Sequence, residues 1–213
     1  MQGLDSIGEK LQAVLREKNA ARDRALEQSR ALIRYSSLAI RAVHREERAL
    51  AEENLKQARG QAADLRIGLA KYPDLYFAGY TQDALKELAE ASIVYALAGG
   101  LPLPDAEELA VDAAPYLNGL GEAAGELRRW SLDLLRRGNT AEAERVLGLM
   151  DDIYSLLVTL DYPDALTGGL RRTTDMVRGV TERTRGDLTL SLRMEAAEQA
   201  AAALEQTLKK KKP

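Results

Sequence analysis

Residues Tyr116–Arg129 read YLNGLGEAAGELRR, and their spacing predicts a helix with two different faces. Tyr116, Leu120, Ala123, Leu127, Trp130 and Leu134 recur every three or four positions, which makes a core-facing stripe. Beside it run Gly119, Glu122, Glu126, Arg129 and Asp133. Residues three or four apart on a helix are neighbours, with Cβ atoms about 5–6 Å apart, so Glu122 and Glu126 stand one turn apart on one side. Gly119, Gly121 and Gly125 each cost about 1 kcal/mol of helix stability relative to alanine, which predicts that another helix or a ligand comes close.

A second pair lies earlier, in LKELAEA at 85–91, where Glu87 and Glu90 share a face. Leu85, Leu88 and Ser92 form the core side of this segment, and the neighbouring stripe Tyr80, Asp83, Glu87, Glu90, Val94, Leu97 turns apolar after Glu90. Facing each other, the two pairs would make a cluster of four carboxylates. Such groups repel, and desolvating each costs several kcal/mol unless a cation compensates. Chance spacing is the alternative in a chain with 33 acidic residues; Glu46–Glu47, Glu52–Glu53 and Glu107–Glu108 read as ordinary solvated faces.

Composition narrows the metal. The 213 residues include no cysteine and one histidine, His44, which excludes thiolate zinc, multi-histidine sites and a cysteine nucleophile within one chain. Carboxylate oxygens favour hard ions such as magnesium, manganese or calcium, and without histidine a hydrolytic Mg²⁺ or Mn²⁺ is favoured over redox iron. A hard ion so held can activate water and neutralise charge building on a phosphodiester. The absence of cysteine fits a reducing, cytoplasmic setting, and no stretch approaches the roughly 20 apolar residues that span a bilayer. A net charge of −3 neither demands nor forbids a nucleic-acid partner.

From Leu4 to about Leu55 apolar residues recur at helical spacing without a proline, predicting a long helix interrupted or bent near His44–Glu47. Arg30, Arg34, Arg41, Arg45 and Arg48 share one stripe of it, and a solvated basic face and a phosphate-contacting one both stay open. A second run, about 52–70, stops between Gly68 and Pro73. Tyr72, Tyr76, Phe77 and Tyr80 then cluster in a chain that is 5% aromatic. Packing against helices is the plainer reading; the sharper one puts Tyr80 at the mouth of the site, stacked on a base.

Thr81 or Gln82 begins the helix of Glu87 and Glu90, which runs to about Ala98. Two glycines and LPLP end it, DAEELAV (105–111) reads as a short helical piece, and Asp112 caps the helix carrying YLNGLGEAAGELRR. Pro115 is tolerated there because first-turn N–H groups have no intrahelical acceptor. RRGNT (136–140) ends one helix and starts another at Asn139 or Thr140, strongly apolar to about 160. DYPDALTGG (161–169) is a turn, and about 170–208 is one long charged helix. The expectation is an all-α bundle of about six to seven helices with no sheet, a single domain over 1–208 and a disordered basic tail at 209–213.

The pattern Tyr116-Leu117-x-Gly119-x-x-Glu122-x-x-Gly125-Glu126-Leu127-x-Arg129, preceded by Leu85-x-Glu87-x-x-Glu90-Ala91, resembles the translin family. Within it the likeness is greatest to translin-associated factor X, the catalytic branch. Ala39-Ile40-x-x-x-His44-Arg45 is similar to the family's first helix and LRRTTDMVRGVTERTRGDLTLSLR to its last, so the resemblance spans nearly the whole chain. It implies a translin-like helical bundle and a Mg²⁺-dependent (or Mn²⁺-dependent) endoribonuclease acting on single-stranded RNA inside a closed octameric shell. Glu87, Glu90, Glu122 and Glu126 would be the metal-binding and catalytic residues. Arg128 and Arg129 are the leading RNA contacts, followed by Tyr80, Arg41, His44 and Arg45; for Arg129 a salt bridge to Glu126 or Asp133 is equally open. The chain departs at Glu122, where eukaryotic factor X has aspartate, so the carboxylate arm is one methylene longer. The missing N-terminal extension and a shorter link between the Glu-bearing helices suggest an archaeal-type member built from identical subunits. Two other readings are a non-catalytic translin-like protein that binds single-stranded RNA or DNA, and a purely structural helical assembly.

Overall fold

The computed structural model describes residues 3–210, the backbone alone at Lys210. Eight helical segments and no strand occur among these residues: α1 (Leu4–His44), α2 (Arg48–Leu69), α3 (Pro73–Tyr76), α4 (Gly79–Gly99), α5 (Ala113–Arg136), α6 (Thr140–Leu157), α7 (Asp164–Thr167) and α8 (Leu170–Lys210). Two of them, α3 and α7, are single turns, so six long helices make the fold. The chain divides into two compact units, Met1–Leu120 with Asp164–Gly168, and Gly121–Pro163 with Gly169–Pro213. The division falls inside α5, which is covalently one helix.

In the first unit α1 packs on α2 and α4. The contact surface is rich in alanine: Ala21, Ala25, Ala39, Ala42, Ala51, Ala58 and Ala62 are all buried, and small side chains let helix axes approach closely. Leu32, Leu65, Leu69, Leu85, Leu88 and Ile93 fill the space between them. In the middle of α4 each residue from Leu88 to Val94 is buried, so Glu90 sits in a wholly buried run.

The expected interruption near His44–Glu47 is a full reversal. Glu47 N–H donates to Ala42 O at 2.9 Å and Glu46 N–H to Val43 O at 2.9 Å, with Glu46 at φ +62°. That is a Schellman ending with glutamate where glycine is usual, which is why the sequence showed a break without showing a hairpin. Where α1 passes α3, Lys18 pairs with Asp74 at 2.6 Å and the Tyr72 hydroxyl donates to Glu17 at 2.8 Å.

The start of α4 is at Gly79, slightly before the expected Thr81 or Gln82. Those two side chains reach back instead, Thr81 Oγ1 donating to Leu75 O at 2.9 Å and Gln82 Nε2 to Tyr76 O at 2.9 Å. Segment 105–111 corrects the expected short helix: it is a turn. Asp105 and Glu108 cap each other reciprocally at 2.7 and 3.0 Å, but Ala110 takes φ +50° and stops propagation. Arg66 then donates to Ala110 O at 2.6 Å. At the head of α5, Tyr116 OH donates to Pro104 O at 2.8 Å and Asn118 Nδ2 to Thr167 O at 2.7 Å, tying α7 to this unit.

In the second unit α6 packs along α8, through Val146, Met150, Ile153 and Leu157 on one side and Leu170, Val177 and Leu188 on the other. Of the two expected cap candidates, Asn139 and Thr140, it is Asn139 that caps α6, accepting from Glu142 N–H at 3.2 Å. A Cβ on Gly121 would run into Thr173 Cγ2 of α8, so that glycine is a packing requirement. Arg185 bridges α8 to Asp151 of α6 at 2.7 Å. Helix α8 continues through Lys210; the rest of the expected tail, 211–213, lies outside the described residues.

Candidate functional site

Gly119 sets the geometry. A Cβ there would meet Lys86 O at 2.7 Å, Ala89 Cβ at 2.9 Å and Glu90 N at 2.9 Å, so the bare glycine backbone of α5 rests on α4 at the turn that carries Glu87 and Glu90. Glu122 follows Gly119 by three residues in the same helix and therefore rises on the same side one turn on. Glu87, Glu90 and Glu122 each present a carboxylate oxygen within 4.8 Å of the others. Glu90 is buried at 8% exposure, while Glu87 and Glu122 are half-buried. Glu126, another turn along α5, is half-buried and is not in this group of three.

A cluster of three acidic residues like this could hold a metal ion, and the donor set can be tested for fit. All donors are carboxylate oxygens, which suits a hard cation. Oxygens on opposite sides of an ion with bonds of about 2.1–2.4 Å lie about 4.2–4.8 Å apart, so the cluster spans one ion. Lys86 Nζ lies 3.6 Å from Glu87 Oε1 and offsets part of the negative charge. Sequence reasoning passed over Lys86, although its place next to Glu87 in LKEL was a usable signal.

The arginines separate. Arg128 is tied within its unit, donating to Thr184 Oγ1 at 3.1 Å and pairing with Asp187 at 2.9 Å on α8. Arg129 is exposed and is in no ion pair among the described residues. Asp133 pairs with Arg136 at 3.0 Å, not with Arg129. Gly125, Arg128, Arg129, Leu132, Asp133 and Arg136 line an open depression of about 610 Å³, and nothing lies within 4 Å of a Cβ built on Gly125. Of the three glycines in the opening stretch, two serve helix packing and the third borders open space beside cations. Arg136 was missed from the sequence because its place at the end of α5 looked like a helix terminus and nothing more.

The remaining expected contacts lie in the first unit. Arg41 and Arg45 are exposed at the end of α1 and in the reversal after it, with His44 half-buried between them. Arg34 and Arg48 of the same stripe stack on Tyr35 and Tyr95, at 4.8 and 5.6 Å from the ring centroids. Tyr80 is half-buried at the start of α4, and its hydroxyl is enclosed without a hydrogen-bond partner among the described residues. The ring's polar end therefore points inward. Tyr76 OH donates to Asp112 at 3.0 Å, and burial, then that bond, push its pKa up to about 12.

No family model matches the chain. Among curated proteins it is 31% identical over 176 residues to the uncharacterized protein MJ0175 of Methanocaldococcus jannaschii, covering 82% of this chain and 78% of that protein. Among solved structures it is 34% identical to AfC3PO in complex with duplex RNA, with a TM-score of 0.80 over 87% of this chain and 96% of that one. AfC3PO alone gives 34% and 0.81 over 87% and 97%. The apo form of NeC3PO gives 26% and 0.74 over 90% and 98%. No helix among the described residues is long and apolar enough to cross a membrane. With an all-helical fold that superposes on these proteins over nearly their full length, the chain belongs to the translin family of C3PO proteins.

Proposed function

We propose that this protein is a metal-dependent endoribonuclease that cleaves single-stranded RNA as a homo-oligomer, octameric by family expectation and working in the cytoplasm. The observation that carries the reading is the approach of Glu87, Glu90 and Glu122 to within 4.8 Å, with Glu90 buried, in a chain of the C3PO family. Three carboxylates this close, one of them buried, carry a repulsion and desolvation cost that a cation would offset. The AfC3PO structure with duplex RNA supports RNA as the ligand class.

Glu87, Glu90 and Glu122 would hold Mg²⁺ or Mn²⁺, with Glu126 close enough along the helix to bind or orient from the next turn. When bound, the ion would supply charge neutralisation at the phosphodiester and activation of water. The chain's own part is to fix three oxygens on two helices locked together at Gly119, so that little reorganisation is needed. Arg129 and Arg136 would hold phosphates along α5, and open space at Gly125 would admit the nucleic-acid backbone. Arg41, His44, Arg45 and Tyr80 are the more distant RNA contacts.

Labelled single-stranded and duplex RNA, each with and without Mg²⁺, test the reading. Mg²⁺-dependent cleavage of the single strand is expected, with Glu90→Gln or Glu122→Gln losing it by roughly a hundredfold or more while retaining RNA. Retention without cleavage under any metal would replace the enzyme with a binding protein. Undiminished cleavage by both variants would remove the site.

A further inference from the structure

Helix α4 supplies its own cation beside the carboxylates. Lys86 precedes Glu87 in LKEL, and consecutive residues on a helix point about 100° apart, so such a pair does not ordinarily face. Here the Lys86 side chain turns back until Nζ lies 3.6 Å from Glu87 Oε1. A lysine usually keeps its ammonium in water while the stem lies along the protein, and Lys18 and Lys209 are 39 and 81% exposed in their ion pairs. Lys86 is only 20% exposed. The backbone beneath it is held as well, since Lys86 O is the atom nearest to a Cβ on Gly119, at 2.7 Å.

We propose that Lys86 is a built-in counter-ion that limits the carboxylate group to one divalent ion and loosens the hold on that ion. The inference rests on the reading of Glu87, Glu90 and Glu122 as a metal site. Three carboxylates and one ammonium sum to two negative charges, which a single Mg²⁺ or Mn²⁺ balances. A second divalent ion leaves an excess of positive charge. The distances agree, because paired metal ions stand about 3.5–4 Å apart and each needs its own donors, whereas these oxygens, within 4.8 Å of one another, span one ion. The ammonium also stands at the carboxylate that a second ion would have to share. Without a metal ion it offsets the repulsion at Glu87, so the group stays formed until an ion arrives. A phosphate contact fits less well, since the Lys86 head is turned onto a carboxylate while Arg129 is exposed on α5.

Mn²⁺ titration of the full-length protein without RNA, with free ion counted by electron paramagnetic resonance, tests the proposal. Wild type is expected to bind one ion per chain. Lys86→Met keeps the length of the stem and removes the charge; it should bind Mn²⁺ roughly tenfold more tightly, the effect of a unit charge on a nearby divalent ion even at the dielectric of water. Lys86→Arg should stay close to wild type. Melting temperatures give a second readout: metal-free Lys86→Met should unfold below wild type, and saturating Mg²⁺ should raise its Tm by more. Lys86→Gln repeats both measurements should Lys86→Met fail to fold.

The sign of the change is diagnostic. A lysine that merely supports the fold would weaken ion binding when removed, and weaker or unchanged binding in Lys86→Met and Lys86→Gln overturns the counter-ion. Two ions per wild-type chain overturns the limit to one. Poorer RNA retention with unchanged Mn²⁺ affinity makes Lys86 a phosphate contact instead. No Mn²⁺ binding by wild type removes the metal site itself, and with it this inference, so the two failures are told apart.

Discussion

Replacing Gly119 by alanine sets two opposed effects against each other, and the structure decides between them. Alanine in mid-helix gains about 1 kcal/mol of helix propensity over glycine. The new methyl group, however, would lie 2.7 Å from Lys86 O and 2.9 Å from Glu90 N, and both obstacles are backbone atoms of a buried helix. They cannot turn aside as a long side chain would, so α5 must lift from α4 by several tenths of an ångström. Overpacking of this kind costs about 1–3 kcal/mol. Because backbone atoms are the unyielding case, the upper half of that range applies, and the net loss is about 1–2 kcal/mol. For a chain of this size that lowers Tm by roughly 3–6 °C. Gly125→Ala is the paired control, since nothing lies within 4 Å of its Cβ; the propensity gain is then unopposed and Tm should rise by about 2–3 °C. Thermal unfolding followed by far-UV circular dichroism reads both. A Gly119→Ala protein as stable as Gly125→Ala would refute the claim that α5 is seated on α4 through this residue. Since Glu122 follows one turn later, the same lift would part it from Glu87 and Glu90, and stabilisation by added Mg²⁺ should shrink in Gly119→Ala alone.

The two arginines side by side in α5 should behave differently. Arg128→Ala loses a half-buried ion pair and a hydrogen bond, costing about 1 kcal/mol of stability in denaturant titrations. Arg129→Ala should unfold within about 0.5 kcal/mol of wild type. In filter-retention assays it should weaken RNA binding and make the salt dependence shallower by about 0.7 of a log unit per log unit of salt; a large stability loss there would show a structural role. Tyr76 gives a pH signature. Its folded pKa, near 12, is above the unfolded value of about 10, so its contribution is complete below pH 10 and is lost as pH rises through 12. Stability from pH 9 to 12 should therefore fall less in Tyr76→Phe than in wild type, and parallel curves would count against the Asp112 contact.

Helix periodicity is a local property, and the sequence by itself settled what depends on it. The stripe from Tyr116 to Leu134, the apolar turn after Glu90, a helix start at Asn139 or Thr140 and the all-helical class follow from spacing within single segments. The carboxylate chemistry was likewise legible, since an oxygen-only donor set follows from a chain without cysteine and with one histidine. What lies between segments was decided only by tertiary structure. Spacing put Glu87, Glu90, Glu122 and Glu126 on two helix faces with equal claims; that Glu87, Glu90 and Glu122 form a group able to hold a metal ion is a feature of the folded chain. Three glycines with one propensity received different tasks, Gly119 and Gly121 against neighbouring helices and Gly125 at an open depression, because steric fit depends on what crosses and not on the residue. Arg128 and Arg129 are indistinguishable by charge, and only the hundred-degree step around the helix turned one onto α8 and the other outward. The reversal at Glu46 was hidden for the same reason: a left-handed glutamate has no local signature, and packing of α1 on α2 holds it there.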